Sequence, residues 1–233
     1  MGIVETIAIT MGIAWASGIN LYATIAMLGL LGVTGNIDLP PDLLVLQNPL
    51  VIAAAGFMYV VEFFADKVPG VDSGWDVLHT FIRIPAGAVL AAGAVGELGA
   101  GAELAAAIAG GTLAASTHSV KAGSRLMINA SPEPFTNWAA SITEDIAVIG
   151  GLWLALNHPV IWVVLLVVFV LLLIWLVPKL WRGIRALFRK IGSLFGGKAE
   201  EPAAAAAETD AAGDAAFAAE ASKTIRALDK EQS

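Results

Sequence analysis

The placement of Lys and Arg constrains this chain more than any other feature. Apolar stretches of about 20 residues, each enough to cross a hydrocarbon core about 30 Å thick, recur along residues 1–178. All thirteen basic residues can be put on one side of those stretches. Six spans are expected, over about 4–33, 49–66, 75–98, 102–128, 139–156 and 159–178. Turn chemistry separates them at Asp38-Leu39-Pro40-Pro41-Asp42, Lys67-Val68-Pro69-Gly70, Gly99-Ala100-Gly101, Ser131-Pro132-Glu133-Pro134 and Asn157-His158-Pro159. The outer connections 34–48, 99–101 and 157–158 lack Lys and Arg. The inner side takes Lys67, Arg83, Lys121, Arg125 and the C-terminal basic block, as the positive-inside rule requires. The fold class expected is an all-α polytopic membrane helix bundle of about six spans, with both termini cytoplasmic.

Composition agrees with a lipid setting. The chain is 58% hydrophobic and 14% charged, against about 25% charged in an average soluble domain. Met1-Gly2-Ile3-Val4-Glu5 has no basic residue, so the first apolar stretch is expected to stay as a membrane helix. The absence of cysteine excludes disulfides, thiolate metal sites and cysteine nucleophiles.

The net charge of −7 hides a polarity. Residues 179–198 carry Lys179, Arg182, Arg185, Arg189, Lys190 and Lys198 without an acid, whereas 199–233 are acidic on balance. Three regions follow: a transmembrane domain over 1–178, a basic amphipathic juxtamembrane helix over 179–198, and an Ala- and acid-rich disordered tail over 199–233. In the second region Leu180, Trp181, Ile184, Leu187 and Phe188 share a face opposite Arg182, Arg185 and Arg189. That pattern anchors a helix on anionic lipid. The expected partners are the bilayer and anionic lipid, with no nucleic acid; a homo-oligomer stays open.

Local sequence adds detail within the spans. Ser17-Gly18-Ile19-Asn20 is a candidate break in the first span, and Pro85 is expected to kink the third, which should start near Ser73 with its side chain as the cap. Laying the first span on the fourth pairs Ala8 with Ala107, Gly12 with Gly111 and Ser17 with Ser116. Three spans per half would make two inverted repeats with interrupted helices, a common transporter plan.

Charges at membrane depth cost about 2.5–3.5 kcal/mol each on insertion scales, so each calls for a partner or a task. Glu62 and Asp66 share a face of the second span. His118, Lys121 and Arg125 form a basic stripe on the fourth, and Ser141 and Asp145 share a face of the fifth beside Glu144. The third contributes Asp72, Asp76, His79 and Arg83. These residues admit two interpretations. In one, Lys121 and Arg125 pair with Glu62, Asp66 or Asp145 as a structural plug. In the other they line a cytoplasm-facing cavity, where Lys121, Arg125, His118 and Arg83 attract an anionic, phosphate-bearing substrate. Glu62, Asp66, Glu144 and Asp145 would then balance charge or couple protons.

Catalysis is the minor alternative. Asp66, Asp72 and Asp76 resemble the acidic clusters that hold Mg²⁺ and pyrophosphate in membrane transferases, but their spacing is looser. A GxSxG elbow, an HExxH helix and a P-loop are all missing from the sequence. No catalytic residue, resident metal or cofactor is expected.

Glu62-Phe63-Phe64-Ala65-Asp66-Lys67-Val68-Pro69-Gly70-Val71-Asp72, His118-Ser119-Val120-Lys121-Ala122-Gly123-Ser124-Arg125, and Ser141 with Glu144-Asp145 resemble a family. It is a bacterial family of small multi-pass membrane proteins catalogued as domain of unknown function 4126. The resemblance covers about 5–178 and implies a membrane location without an activity. Asn20 stands where many relatives carry an arginine, so a role for that arginine does not carry over. The sequence thus favours a transporter-like protein; a non-transporting scaffold or accessory subunit comes second and a Mg²⁺-dependent lipid-phosphate enzyme third.

Overall fold

A computed structural model describes residues 2–68, 70–130 and 134–194. Residues 1–187 form one compact unit and a second begins at Phe188. The expected tail over 199–233 and the end of the basic segment lie outside the described residues. Among the described residues the fold is all-α, with no strand. Its helices are α1 (Ile3–Ile19), α2 (Leu21–Val33), α3 (Pro49–Ala65), α4 (Val71–Gly93), α5 (Ala100–Asn129), α6 (Pro134–Asn157) and α7 (Pro159–Leu194). Short 3₁₀ turns at Pro41–Gln47 and Gly96–Leu98 precede α3 and α5.

Helix boundaries follow capping chemistry. The first expected span is broken where the small residues end. Asn20 is extended (φ −144°, ψ 97°), and its Oδ1 accepts from Ala23 N at 2.9 Å to cap α2. Asn48 caps α3 through Leu50 N at 2.9 Å, with Pro49 in the first turn. The third span starts two residues before Ser73. Gly70 turns the chain at φ +86°, and Asp72 Oδ1 accepts from Gly70 N (2.9 Å) and Ser73 N (2.6 Å). Ser73 therefore does not cap this helix; its Oγ accepts from Asn129 Nδ2 instead. The helix runs on through Pro85 to Gly93. The proposed repeat is not matched in local structure: α5 is continuous at Ser119, the counterpart of the break at Asn20.

Two helices, Phe135–Asn157 and Pro159–Ala186, are long and apolar enough to cross a membrane. A third crossing would be Pro41–Gln47 with Pro49–Ala65, a pair bent by 68°. α4 and α5 carry too much charge to qualify on apolarity alone, yet their charges point inward. Arg83, Arg125, Glu62 and Asp72 are fully buried, while Ile3, Phe57, Phe81, Leu104 and Ile174 face outward. That inside-out distribution is the one a bilayer selects and water does not. The chain is a membrane protein on these features.

The bundle centres on α1, α4 and α5, which pack closely on one another. Small residues set the distance. A Cβ on Gly110 of α5 would lie 2.3 Å from Ala91 Cβ of α4, and one on Gly18 of α1 would lie 2.5 Å from Ala114 O. Against this trio α7 stands off, touching it through large side chains. Trp15 meets Trp162 and Phe169 edge to face, with centroids 6.4 and 6.1 Å apart.

Gly110→Val should force α4 and α5 apart at a cost of about 1–3 kcal/mol. The check is the thermal midpoint in detergent beside Gly101→Val, where nothing lies within 4 Å of the added carbon. Equal midpoints for the two variants would contradict the packing.

Candidate functional site

Helical spacing aims the charged residues of four helices at one place. α3 brings Glu62 and Asp66 four apart; α4 brings Asp72, Asp76, His79 and Arg83 at helical repeats. α5 brings His118, Lys121, Arg125 and, one turn on, Asn129; α6 brings Asn137, Ser141 and Glu144. All but His79 and Ser141 meet in a single, largely buried network.

Glu62 Oε1 is its hub, shared by Arg83 NH2 of α4 and Lys121 Nζ of α5, the latter at 3.2 Å. Arg83 NH1 also donates to Asp76 Oδ1 at 3.3 Å. Lys121 reaches Asp66 Oδ2 at 2.8 Å, Glu144 Oε2 at 3.4 Å and the carbonyl of Ile19, exposed by the break before Asn20, at 3.3 Å. Arg125 grips both oxygens of Glu144, at 2.7 and 3.3 Å, in the fork geometry that suits a carboxylate. Its NH1 donates to the carbonyls of Asp66 (3.1 Å) and Asn137 (3.0 Å) and to Asn137 Oδ1.

The histidines hold fixed roles. Arg83 NH1 donates to His118 Nδ1 at 3.2 Å, so Nε2 carries the proton and faces Thr80 Oγ1 (2.8 Å) and the Asp76 carbonyl (3.1 Å). His118 is therefore a neutral acceptor in this arrangement. His79 gives Nδ1–H to the Trp75 carbonyl at 2.8 Å, and its Nε2 accepts from Tyr22 Oη at 3.0 Å.

Asp145 is not brought to Lys121 or Arg125; this corrects the pairing expected from its place beside Glu144. One helical step turns it toward Asn20 Nδ2, at 3.3 Å. On that side Lys67 Nζ donates to Ser141 Oγ at 3.2 Å and lies over the Phe63 ring. Asp72 is fully buried and receives Asn129 Nδ2 at 2.8 and 2.9 Å and Asn137 Nδ2 at 3.2 Å.

Neutral residues of this network escaped sequence reasoning. Asn129 continues the stripe of His118, Lys121 and Arg125, and that register could have revealed it. Asn137, fully buried, links Arg125 to Asp72 but sits beside a turn, where an asparagine attracts no notice.

The electrostatic balance is uneven. Four carboxylates (Glu62, Asp66, Asp76, Glu144) touch three cations (Arg83, Lys121, Arg125). Glu62 Oε2, Asp66 Oδ1 and Asp76 Oδ2 are buried without a hydrogen-bond partner among the described residues. Asp66, Asp72 and Asp76 turn to three different sets of partners, and no group of three His, Asp or Glu among the described residues is arranged to hold a metal ion. Glu144 differs from the other acids, since its side chain keeps 18% exposure. It lines a cavity of about 210 Å³ with Lys121, Ser124, Thr143, Ile19 and Phe169.

A family model described as domain of unknown function (DUF4126) matches residues 7–179. Neither a curated protein nor a solved structure matches the chain.

Arg83→Met should leave Glu62 and Asp76 to share Lys121, at 3.2 and 3.9 Å, and destabilise the protein by about 3–5 kcal/mol, whereas Arg83→Met with Glu62→Leu should recover much of that loss. Unfolding of the single and double variants in mixed detergent measures the coupling. Strictly additive losses would show that the two residues do not act as a pair.

Proposed function

We propose that this chain, which belongs to the domain-of-unknown-function 4126 family, is a transporter-like membrane protein that moves a small anion together with a proton. The position of Glu144 carries the proposal. Its carboxylate joins Lys121, at 3.4 Å, and Arg125, at 2.7 Å, on the wall of the 210 Å³ cavity. A carboxylate held by Lys and Arg at a cavity wall occupies the place that a ligand's carboxylate or phosphate would take. A proton on Glu144 removes its charge and loosens both contacts. An anion entering the cavity then takes over Lys121 and Arg125. One proton with each monovalent anion leaves the charge of the network unchanged, so the exchange adds no uncompensated charge to a low-dielectric core.

The other residues hold this pair in readiness. Glu62 and Asp66 fix the Lys121 ammonium, Arg83 and His118 fix Glu62 and Asp76 behind it, and Asp145 with Lys67 offers a neighbouring acid for the proton. In this scheme α1 with α2, then α3, α4, α5, α6 and α7, make six crossings. Both chain ends lie on the Lys67 side, the cytoplasmic face of a bacterial inner membrane.

One observation favours a second function, a structural scaffold or accessory subunit. Each cation already has a carboxylate partner, with Lys121 at 2.8 Å and Arg125 at 2.7 Å from theirs. The Mg²⁺-dependent lipid-phosphate enzyme finds no support in the divergent partners of Asp66, Asp72 and Asp76.

Inorganic phosphate and acetate serve as probes, with the thermal midpoint of the purified protein as the readout. Either probe, at about 100 times its Kd, should stabilise the wild type by about 2.7 kcal/mol. Glu144→Gln, which takes that carboxylate's charge from Lys121 and Arg125, should respond more strongly than the wild type, and Lys121→Met not at all. If no form responds while Glu144→Gln merely lowers the midpoint, the network is internal glue and the transport assignment fails.

A further inference from the structure

α5 and α7 touch at one end and part at the other. Near Gly123 the helices are close: a Cβ there would lie 3.6 Å from Ile184 and 3.7 Å from Leu180, and one on Gly183 would lie 3.0 Å from Met127. On the N-terminal side of Pro178 they diverge and leave a groove of about 880 Å³ lined by Ala109, Leu113 and Ser116 on α5 and by Leu166, Leu173 and Pro178 on α7. The hydroxyls along this wall are satisfied within their own helix. Thr112 and Ser116 donate to Ile108 O and Thr112 O, at 2.7 and 2.8 Å. The wall therefore asks nothing polar of its occupant.

We propose that this groove holds an acyl chain of an anionic phospholipid, whose head group is met by Arg182 and Arg185 past the groove's end at Pro178. Length supports the assignment. From Leu166 to Pro178 is about 18 Å of helix at 1.5 Å per residue, close to the roughly 15 Å depth of one leaflet.

Charge supports it at that end. Ile174 and Pro178 lie on the groove's edge, and the same helical stripe continues to Arg182 and Arg185, which are exposed. Arg182 Nε donates to Pro178 O at 3.3 Å, and Arg185 lies over the Trp181 ring at 5.1 Å, so neither meets a carboxylate among the described residues. A phosphodiester at that level has its chain beside the groove and its charge beside two guanidinium groups.

The test uses the full chain in vesicles of equal phosphatidylglycerol and phosphatidylcholine, released into detergent and weighed with its bound lipid by native mass spectrometry. The wild type should retain one phosphatidylglycerol in preference to phosphatidylcholine by about five-fold for each arginine engaged. Arg182→Gln with Arg185→Gln should erase that preference but keep a lipid bound. Ser116→Phe, which fills the groove, should lose bound lipid of either kind while keeping its helical circular dichroism. The idea is overturned by equal retention of both lipids in the wild type, by unchanged retention in folded Ser116→Phe, or by a wild-type dimer that Ser116→Phe dissociates. If Ser116→Phe does not fold, the arginine pair decides alone: an undiminished preference without those arginines overturns the head-group assignment.

Discussion

The sharing of Glu62 Oε1 between Arg83 and Lys121 is the interaction on which the rest of this structure depends. It ties α3, α4 and α5 together at a point where none of the three charges is exposed to water. Removing any one takes a partner from charges that are buried and unbalances the network, a cost of several kcal/mol against a total stability of the same order. The other contacts can be traced outward from this hub. Asp76 completes Arg83, Asp66 and Glu144 complete Lys121, Glu144 completes Arg125, and Asn137 carries the chain of bonds to Asp72. The close packing of α1, α4 and α5 through Gly18 and Gly110 brings these side chains within bonding distance, so small residues and charges act as one device.

Much of this arrangement was legible in the sequence because both of its causes are periodic. Apolar runs as long as a bilayer is thick announce membrane helices, and α6 and α7 meet that standard alone. Charges at three- and four-residue spacing announce buried faces, and the stripe of His118, Lys121 and Arg125 does face inward. What periodicity cannot show is which of two adjacent residues turns inward. Glu144 and Asp145 differ by a rotation of about 100° on one helix, and tertiary packing of α6 gave the network to Glu144 and Asn20 to Asp145.

Break points and neutral partners were harder to read for a different reason. The interruption at Asn20 is written as three small or polar residues around Ile19, and its consequence, a free Ile19 carbonyl for Lys121, belongs to three-dimensional contact alone. Asn129 and Asn137 matter because they satisfy Asp72 and Arg125 without adding charge, and no sequence count of acids and bases registers them. Asp72 shows the converse error: near a turn it looks like a solvated helix cap, yet it both caps α4 and lies buried against two asparagines.

The way α6 is held bears on how the network could change state. α6 packs mainly on α1 and α2 and meets α5 over only a short stretch. Its principal tie to α5 is therefore polar: Glu144 on Lys121 and Arg125, with Asn137 on Arg125. An apolar interface of ordinary size would oppose separation by roughly 25 cal/mol for every Å² uncovered, whatever the charge of the cavity. A polar tie behaves otherwise, because one proton or one competing anion changes its strength at once. The broken α1–α2 pair lies against α6 and carries both Asn20, bonded to Asp145, and Ile19, bonded to Lys121. Movement of α6 would therefore reach the break directly.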